Sequence, residues 1–325
     1  MLALGKPVGG AHIWHNKKVI GEISFDGLHH KYPFMLALSQ AVTSRLLEMR
    51  LNRLGVYVDW DTRLNHVKIS DDAVEAELKI GRGGHIEEVH CPWMLAADGV
   101  HSTARRELAI PSDGTSLENP WYLLDLPLYT SLREDRAQVF QQDGGGFVFL
   151  LRVVDDQEKS GQRAPIWRVI GSMHDPLSRL NFARPAGPPV WQSSFHISHS
   201  INRTMQAGNV YFAGDAAHVH SPVGARGMNL GIEDAWVFSE LYRENRLARY
   251  GETRREVDRR VVRQIERFTH MVMADSALTR ILRGMFLPMM THTPMLRNHM
   301  VHTLTGLDHP LTLAASGREL ELSTN

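Results

Sequence analysis

Residues 209–234 read NVYFAGDAAHVHSPVGARGMNLGIED, and the fold is decided in this stretch. The short apolar run Val210 to Ala213 brings Asp215 to the carboxyl end of a buried strand, where open α/β sheets bind their ligands. A glycine-rich loop then leads into a helix that begins near Asn229. Gly214 lets the backbone turn close to a ligand, and Gly224 and Gly227 permit backbone approach to a flat ring. Asp215 can accept hydrogen bonds from sugar-like hydroxyls. The amides around Gly227, Met228 and Asn229 stand at the positive end of the helix, where they can stabilise negative charge. On that helix Ile232, Ala235, Trp236 and Ser239 share one face, with Glu233 and Glu240 elsewhere.

Upstream, ADGVHSTARR (residues 97–106) repeats the arrangement. The apolar run Trp93 to Ala97 ends at Asp98-Gly99, and Ser102 and Arg105 lie on the following turn or helix. Earlier, Phe34, Leu38, Val42, Leu46 and Leu47 recur at helical spacing until Gly55, and a β-prone stretch, Val56 to Trp60, comes next. Val67 to Ile69, Val74 to Ile80 and His85 to Cys91 predict strands, the last two joined as a hairpin over Gly81 to Gly84. From about Ser112 to His199 the texture changes. Tyr122 to Leu128, Gln138 to Gln141, Phe147 to Val154 and Trp167 to Met173 read as strands between Gly-, Pro- and Asp-rich turns. Asp155 to Arg163 predicts an exposed loop, and Ala183 to Pro189 a stiff connection. Glu252 to Met273 is charged and helical in pattern.

The chain has 325 residues, 43% of them hydrophobic, enough for a sizeable core. Lys plus Arg (36) balance Asp plus Glu (36), so no global field favours nucleic acid. The single cysteine, Cys91, excludes an intrachain disulfide framework and fits a reducing, cytoplasmic setting. No apolar run of about 18 residues predicts a membrane span. The Met-rich segment Ile281 to Met300, broken by Pro288 and Pro294, reads as core-capping, with a peripheral membrane contact as the other reading. His218 and His220 suggest a metal, but no carboxylate or cysteine is spaced in sequence to complete a site, so none is expected. His12, His15, His29 and His30 read as surface or packing residues. Ser102 lacks a nucleophile-elbow context, which argues against serine hydrolysis.

The segment around Asp215 resembles the second FAD-binding motif of the p-hydroxybenzoate hydroxylase-like single-component flavin monooxygenases. There a Gly-Asp-Ala-Ala-His stretch precedes a Pro and a Gly-x-Gly-Met/Leu-Asn loop. The resemblance implies that Asp215 binds the ribitol chain of FAD, and that Pro222 and Gly224 to Asn229 line the flavin ring. Asp98, Gly99, Ser102 and Arg105 are similar to the Asp-Gly-x-x-Ser-x-x-Arg motif of the same flavoproteins, which helps hold FAD and is tied to nicotinamide use. Gln40 sits where the family often has a FAD-contacting Gln. The acidic residue usual just after it is replaced by Thr43-Ser44, so Gln40 reads equally as a surface residue.

The fold implied is α/β: a Rossmann-like FAD-binding domain with an inserted β-rich substrate domain and C-terminal helices. Its parts are residues 1–111 and 206–250 for FAD, 112–205 for substrate, and 251–325 for the helical segment. The family opens with a Gly-x-Gly-x-x-Gly unit that cradles the FAD pyrophosphate. Gly5, Gly9 and Gly10 have other spacings, so the expectation is an N-terminal truncation, with a βαβ unit of at least about 30 residues missing before Met1. The activity implied is hydroxylation of an aromatic or related small organic substrate with NADPH or NADH and O2, the catalytic acid and base remaining unassigned. Two other readings stay open: a non-catalytic, truncated flavoprotein remnant, and a ubiquinone-pathway type of hydroxylase at a membrane surface. A flavin halogenase is disfavoured because its Trp-containing motif is absent.

Overall fold

Alternating burial along short strands builds most of this chain. The computed structural model describes residues 1–15, 17–71, 73–141, 147–154, 164–178, 180, 182–221, 226–273 and 293–309. It divides into two units, one of Met1–Tyr57, Leu117–His196 and His270–Thr305, the other of Val58–Ser116, Ile197–Thr269 and Gly306–Asn325. The first unit opens with β1 (Lys6–Val8), β2 (Gly10–His15), β3 (Lys18–Ser24), β4 (Met35–Ala37) and α1 (Gln40–Arg53). The second follows with β5 (Thr62–Ile69), β6 (Val74–Ile80), β7 (His85–Cys91), β8 (Met94–Ala96) and α2 (Thr103–Glu107). β9 (Ser112–Thr130) carries the chain back to the first unit, which adds β10 (Ala137–Gln141), β11 (Phe147–Val153), β12 (Ile166–Gly171) and β13 (Ala183–Pro185). β14 (Trp191–Asn202) returns to the second, with β15 (Gln206–Ala207), β16 (Val210–Phe212), β17 (His218–Val219), α3 (Gly227–Arg243) and α4 (Tyr250–Met273). α5 (Pro294–Thr305) belongs to the first.

In the first unit β9, β12, β11 and β10 pair antiparallel in that order, and β10 continues in parallel to β2, which pairs with β3. Inward residues alternate along each strand and meet in one cluster that includes Leu126, Leu128, Phe140, Val148, Leu150, Trp167 and Val169. Met300 and Val301 of α5 pack with Ala11, Ile13, Ile23 and Phe25. The C-terminal end of the Met-rich segment therefore caps a core, while 281–292 lie outside the described residues. So does the loop expected at 155–163.

Three local expectations are corrected. The helix expected from Phe34 starts at Gln40, because Met35–Ala37 pairs with β1 (Val8↔Met35). Val56 to Trp60 forms no strand, and Tyr57 and Trp60 are exposed; β-propensity without a pairing partner does not make a strand. Ala183–Pro185, expected within a stiff connection, pairs with β9 as a short edge strand that ends on proline, where no ladder donor is required. The expected hairpin stands: β5, β6 and β7 form an antiparallel sheet in the second unit.

Leu150 is fully buried in the first-unit core. Leu150→Ala should lower the unfolding free energy by about 2–5 kcal/mol in chemical denaturation. Exposed Tyr57→Ala should change it by no more than about 0.5 kcal/mol.

Candidate functional site

Two parallel strand ends in the second unit create the site. β16 lies beside β8 in register Val210↔Met94, Tyr211↔Leu95, Phe212↔Ala96, and Val210 and Phe212 are completely buried. The Ala213 amide donates to Ala96 O at 3.0 Å, so both chains leave the sheet at the same edge. One leaves through Asp98-Gly99, the other through Gly214-Asp215. Gly99 (φ +83°) and Gly214 (φ +55°) take left-handed conformations suited to glycine. A second glycine brings α3 close to the turn, since a Cβ on Gly231 would lie 3.2 Å from Gly214 Cα.

The two Asp-Gly segments are tied together but play different parts. Asp98 Oδ2 accepts from the amides of Thr103 (2.7 Å) and Ala104 (3.1 Å), and buried Ser102 Oγ accepts from the Arg105 amide (2.9 Å). Asp98 and Ser102 thus cap α2. Arg105 donates to Val100 O and, at 3.3 Å, to Ala216 O, a carbonyl that also accepts from Asn202 Nδ2 at 3.0 Å. Asp215 sits in the turn so braced. It is exposed, and its carboxylate has no partner among the described residues. α3 starts at Gly227 without a side-chain cap, and Met228 and Asn229 are exposed on its first turn. Gln40 belongs to the other unit, where it is the exposed first residue of α1. Pro222 and Gly224 lie outside the described residues.

The buried stripe of α3 is Leu230, Asp234, Val237, Phe238 and Leu241, whereas Ile232, Ala235 and Ser239 of the expected face are exposed. The fourfold spacing of Leu230, Asp234 and Phe238 places a carboxylate within an apolar stripe. That misplaced charge is the signal for the feature the sequence reading missed. Asp234 Oδ2 accepts from the Gly214 amide (2.8 Å) and contacts His218 Nε2 (2.7 Å), and its Oδ1 accepts from Arg254 Nε (2.7 Å). Arg254 also donates to Asp258 Oδ1 (2.7 Å) and Glu233 Oε1 (2.6 Å). All of these except half-buried Glu233 are withdrawn from solvent.

The network sets its own protonation. Burial opposes the charge on His218, but Asp258 and Asp234 outweigh it and lift the imidazole to about 9. Burial also opposes ionisation of Asp234, yet His218 and Arg254 hold its carboxyl below the ordinary range. Burial and the adjacent Asp234 push Asp258 up to about 7. His220, by contrast, is pushed down to about 4 by burial and stays neutral. His218, Asp234 and Asp258 converge with their ligand atoms within 4.8 Å, so the expectation that no carboxylate stands with His218 is corrected. The Arg254 guanidinium already binds both carboxylates, where a cation would otherwise be needed.

Parallel strand ends, a free carboxylate and an uncapped helix start are the means by which α/β domains hold nucleotide-like cofactors. Residues 1–265 match the family described as FAD binding domain, and the chain belongs to that family. The family expected from the two Asp-Gly segments is the one found. The chain is 30% identical over 340 residues to 6-methylpretetramide 4-monooxygenase of Streptomyces rimosus, covering 96% of this chain and 60% of that protein. It is 27% identical over 223 residues to pentachlorophenol 4-monooxygenase of Sphingobium chlorophenolicum, covering 66% of this chain and 41% of that protein. It thus spans 60% or less of the length of these relatives. The crystal structure of p-nitrophenol 4-monooxygenase from Pseudomonas putida DLL-E4 shares the fold, with a TM-score of 0.78, 18% identity, and coverage of 94% of this chain and 82% of that one.

The raised value of His218 carries a pH dependence. Its folded value of about 9 exceeds the ordinary 6.5, so its contribution to stability is complete below 6.5 and is lost as pH rises through about 9. A thermal-unfolding scan between about pH 6 and 10 should show a falling midpoint. The decline should be shallower in His218→Asn, with His309, likewise raised to about 9, and Asp258, raised to about 7, supplying the remaining slope. Equal slopes would remove the imidazolium from the network.

Proposed function

We propose that this chain holds FAD and an aromatic substrate in a single-component monooxygenase that uses NADPH or NADH and O2 to hydroxylate a small aromatic or related organic molecule. FAD, when bound, would supply the redox chemistry, with the nicotinamide as reductant and O2 as the oxygen source. The residues present fit the cofactor. Asp215 would accept hydrogen bonds from the ribitol hydroxyls, and the first-turn amides of α3 at Gly227, Met228 and Asn229 would stabilise negative charge on the reduced ring. By the resemblance, Pro222 and Gly224 would also serve the flavin ring. Gly99, Ser102 and Arg105 would act by bracing the turns, and Asp98 through α2, whose amides its carboxylate already binds. Of the segments expected for FAD, 58–111 and 206–250 belong mainly to the second unit and are assigned to the cofactor, whereas β2 and β3 join the sheet of the β-rich segment assigned to the substrate.

The reading rests above all on Asp215, a carboxylate exposed and without a partner among the described residues, on a turn tied from behind by Asp234. The relatives named above act, by their names, on 6-methylpretetramide and pentachlorophenol, which favours a phenolic or related aromatic substrate. No helix among the described residues is long and apolar enough to cross a membrane. A cytoplasmic location, with at most a peripheral membrane contact through the Met-rich segment, accords with this reading.

Asp215→Ala and Asp215→Asn should each weaken FAD binding about ten- to a hundred-fold in a fluorescence titration, the worth of one charged hydrogen bond of roughly 1.5–3 kcal/mol. Circular dichroism should be unchanged. Retention of FAD by both variants at the level of the parent chain would contradict the assignment. Incorporation of labelled oxygen from O2 into a phenol, dependent on NADPH or NADH, tests the reaction itself.

A further inference from the structure

Arg226 is buried immediately before α3, and the segment that follows α5 closes over it. Its Nη1 donates to Asp308 Oδ2 and its Nη2 lies beside Asp308 Oδ1, both at 3.0 Å. His309 Nδ1 is 3.0 Å from Asp308 Oδ1, and its Nε2 is 3.1 Å from both Glu233 oxygens. Glu233 in turn accepts from Arg254, which is bound to Asp234, which is bound to the Gly214 amide. Gly306 (φ +78°) supplies the left-handed turn that lets the chain enter this arrangement. Charges of alternating sign therefore run without a break from Arg226, at the start of α3, to the turn that carries Asp215.

We infer that Asp308 and His309 are positioning residues: by clamping Arg226 and Glu233 they fix the first turn of α3 and the Gly214-Asp215 turn as one rigid cofactor-facing edge. The inference rests on the FAD reading for its function, and on the ion pairs alone for its structure. Hydrogen bonding to Asp308 and Glu233 lifts His309 to about 9, so both of its ring N–H groups remain donors at neutral pH.

Amide hydrogen exchange and FAD titration of the full chain at neutral pH test this together. In Asp308→Asn and in His309→Gln, exchange at Gly214 to Ala216 and Gly227 to Leu230 should rise about ten-fold or more, while β5 to β7 exchange as in the parent chain. FAD binding should weaken by about ten-fold, with an altered absorbance spectrum of the bound flavin, and Asp308→Glu should recover part of both. Unchanged exchange at both turns with unchanged FAD affinity would overturn the clamp and leave the FAD reading standing. Exchange that rises equally across β5 to β7 would overturn it too, by assigning Asp308 and His309 to general stability. If the parent chain fails to bind FAD while the two turns still loosen selectively, the clamp stands and the FAD reading falls.

Discussion

The carboxylate of Asp234 is the constraint on which the second unit depends. It lies fully buried in α3 and is held by a backbone amide, an imidazole and a guanidinium. Desolvating such charges costs several kcal/mol per ion, so a network of this kind adds little net stability. What it does add is geometry. The amide that Asp234 binds belongs to Gly214, and the next residue is Asp215. A turn carrying an exposed carboxylate would otherwise be free to settle wherever its own solvation favoured. Tied from behind by Asp234 and braced through Ala216 by Arg105 and Asn202, it has one position.

The same arrangement explains why two similar segments carry different burdens. Asp98 and Asp215 leave neighbouring parallel strands at the same edge, each beside a glycine with positive φ. Asp98 is followed closely by a short helix and spends its carboxylate on that helix's first amides. Asp215 lies within a 3-10 turn, Gly214–Ala216, whose Gly214 amide is taken by Asp234 and whose Gly214 carbonyl accepts from the Ala217 amide, and its own carboxylate has no partner among the described residues. The orphan first-turn amides of α2 claim the carboxylate of Asp98.

The first unit rests on a different principle. Its sheet is held by alternating apolar residues on β9 to β12, with Trp167 and Leu150 among the completely buried side chains. One face of each strand determines its register there, because a shift of one residue would turn every inward side chain outward. Charge enters that sheet as a cross-strand pair, Arg168 donating to Asp125 directly opposite it on the adjacent strand.

Much of this was legible in the sequence. Strand-then-glycine punctuation located both Asp-Gly turns, strand-like patterning located the end of β5, β6 and β7 and the four strands β9 to β12, and fixed offsets from Asp215 pointed to the family. These are local signals, written within about ten to thirty residues. The start of α1 at Gln40 was hidden because only β1, far earlier in the chain, makes Met35–Ala37 a strand. The buried face of α3 was hidden because a charged residue, Asp234, sits where an apolar one is expected, and its partners Gly214, His218 and Arg254 are brought to it from other elements. Asp308 and His309 carry no local mark at all, and acquire a role only when the chain returns them to Arg226 and Glu233. The sequence by itself determined where strands end in glycine turns, because turn geometry and strand ends are short-range properties. Tertiary structure alone decided how they are held, because ion pairs form between side chains that only folding brings within a few ångströms.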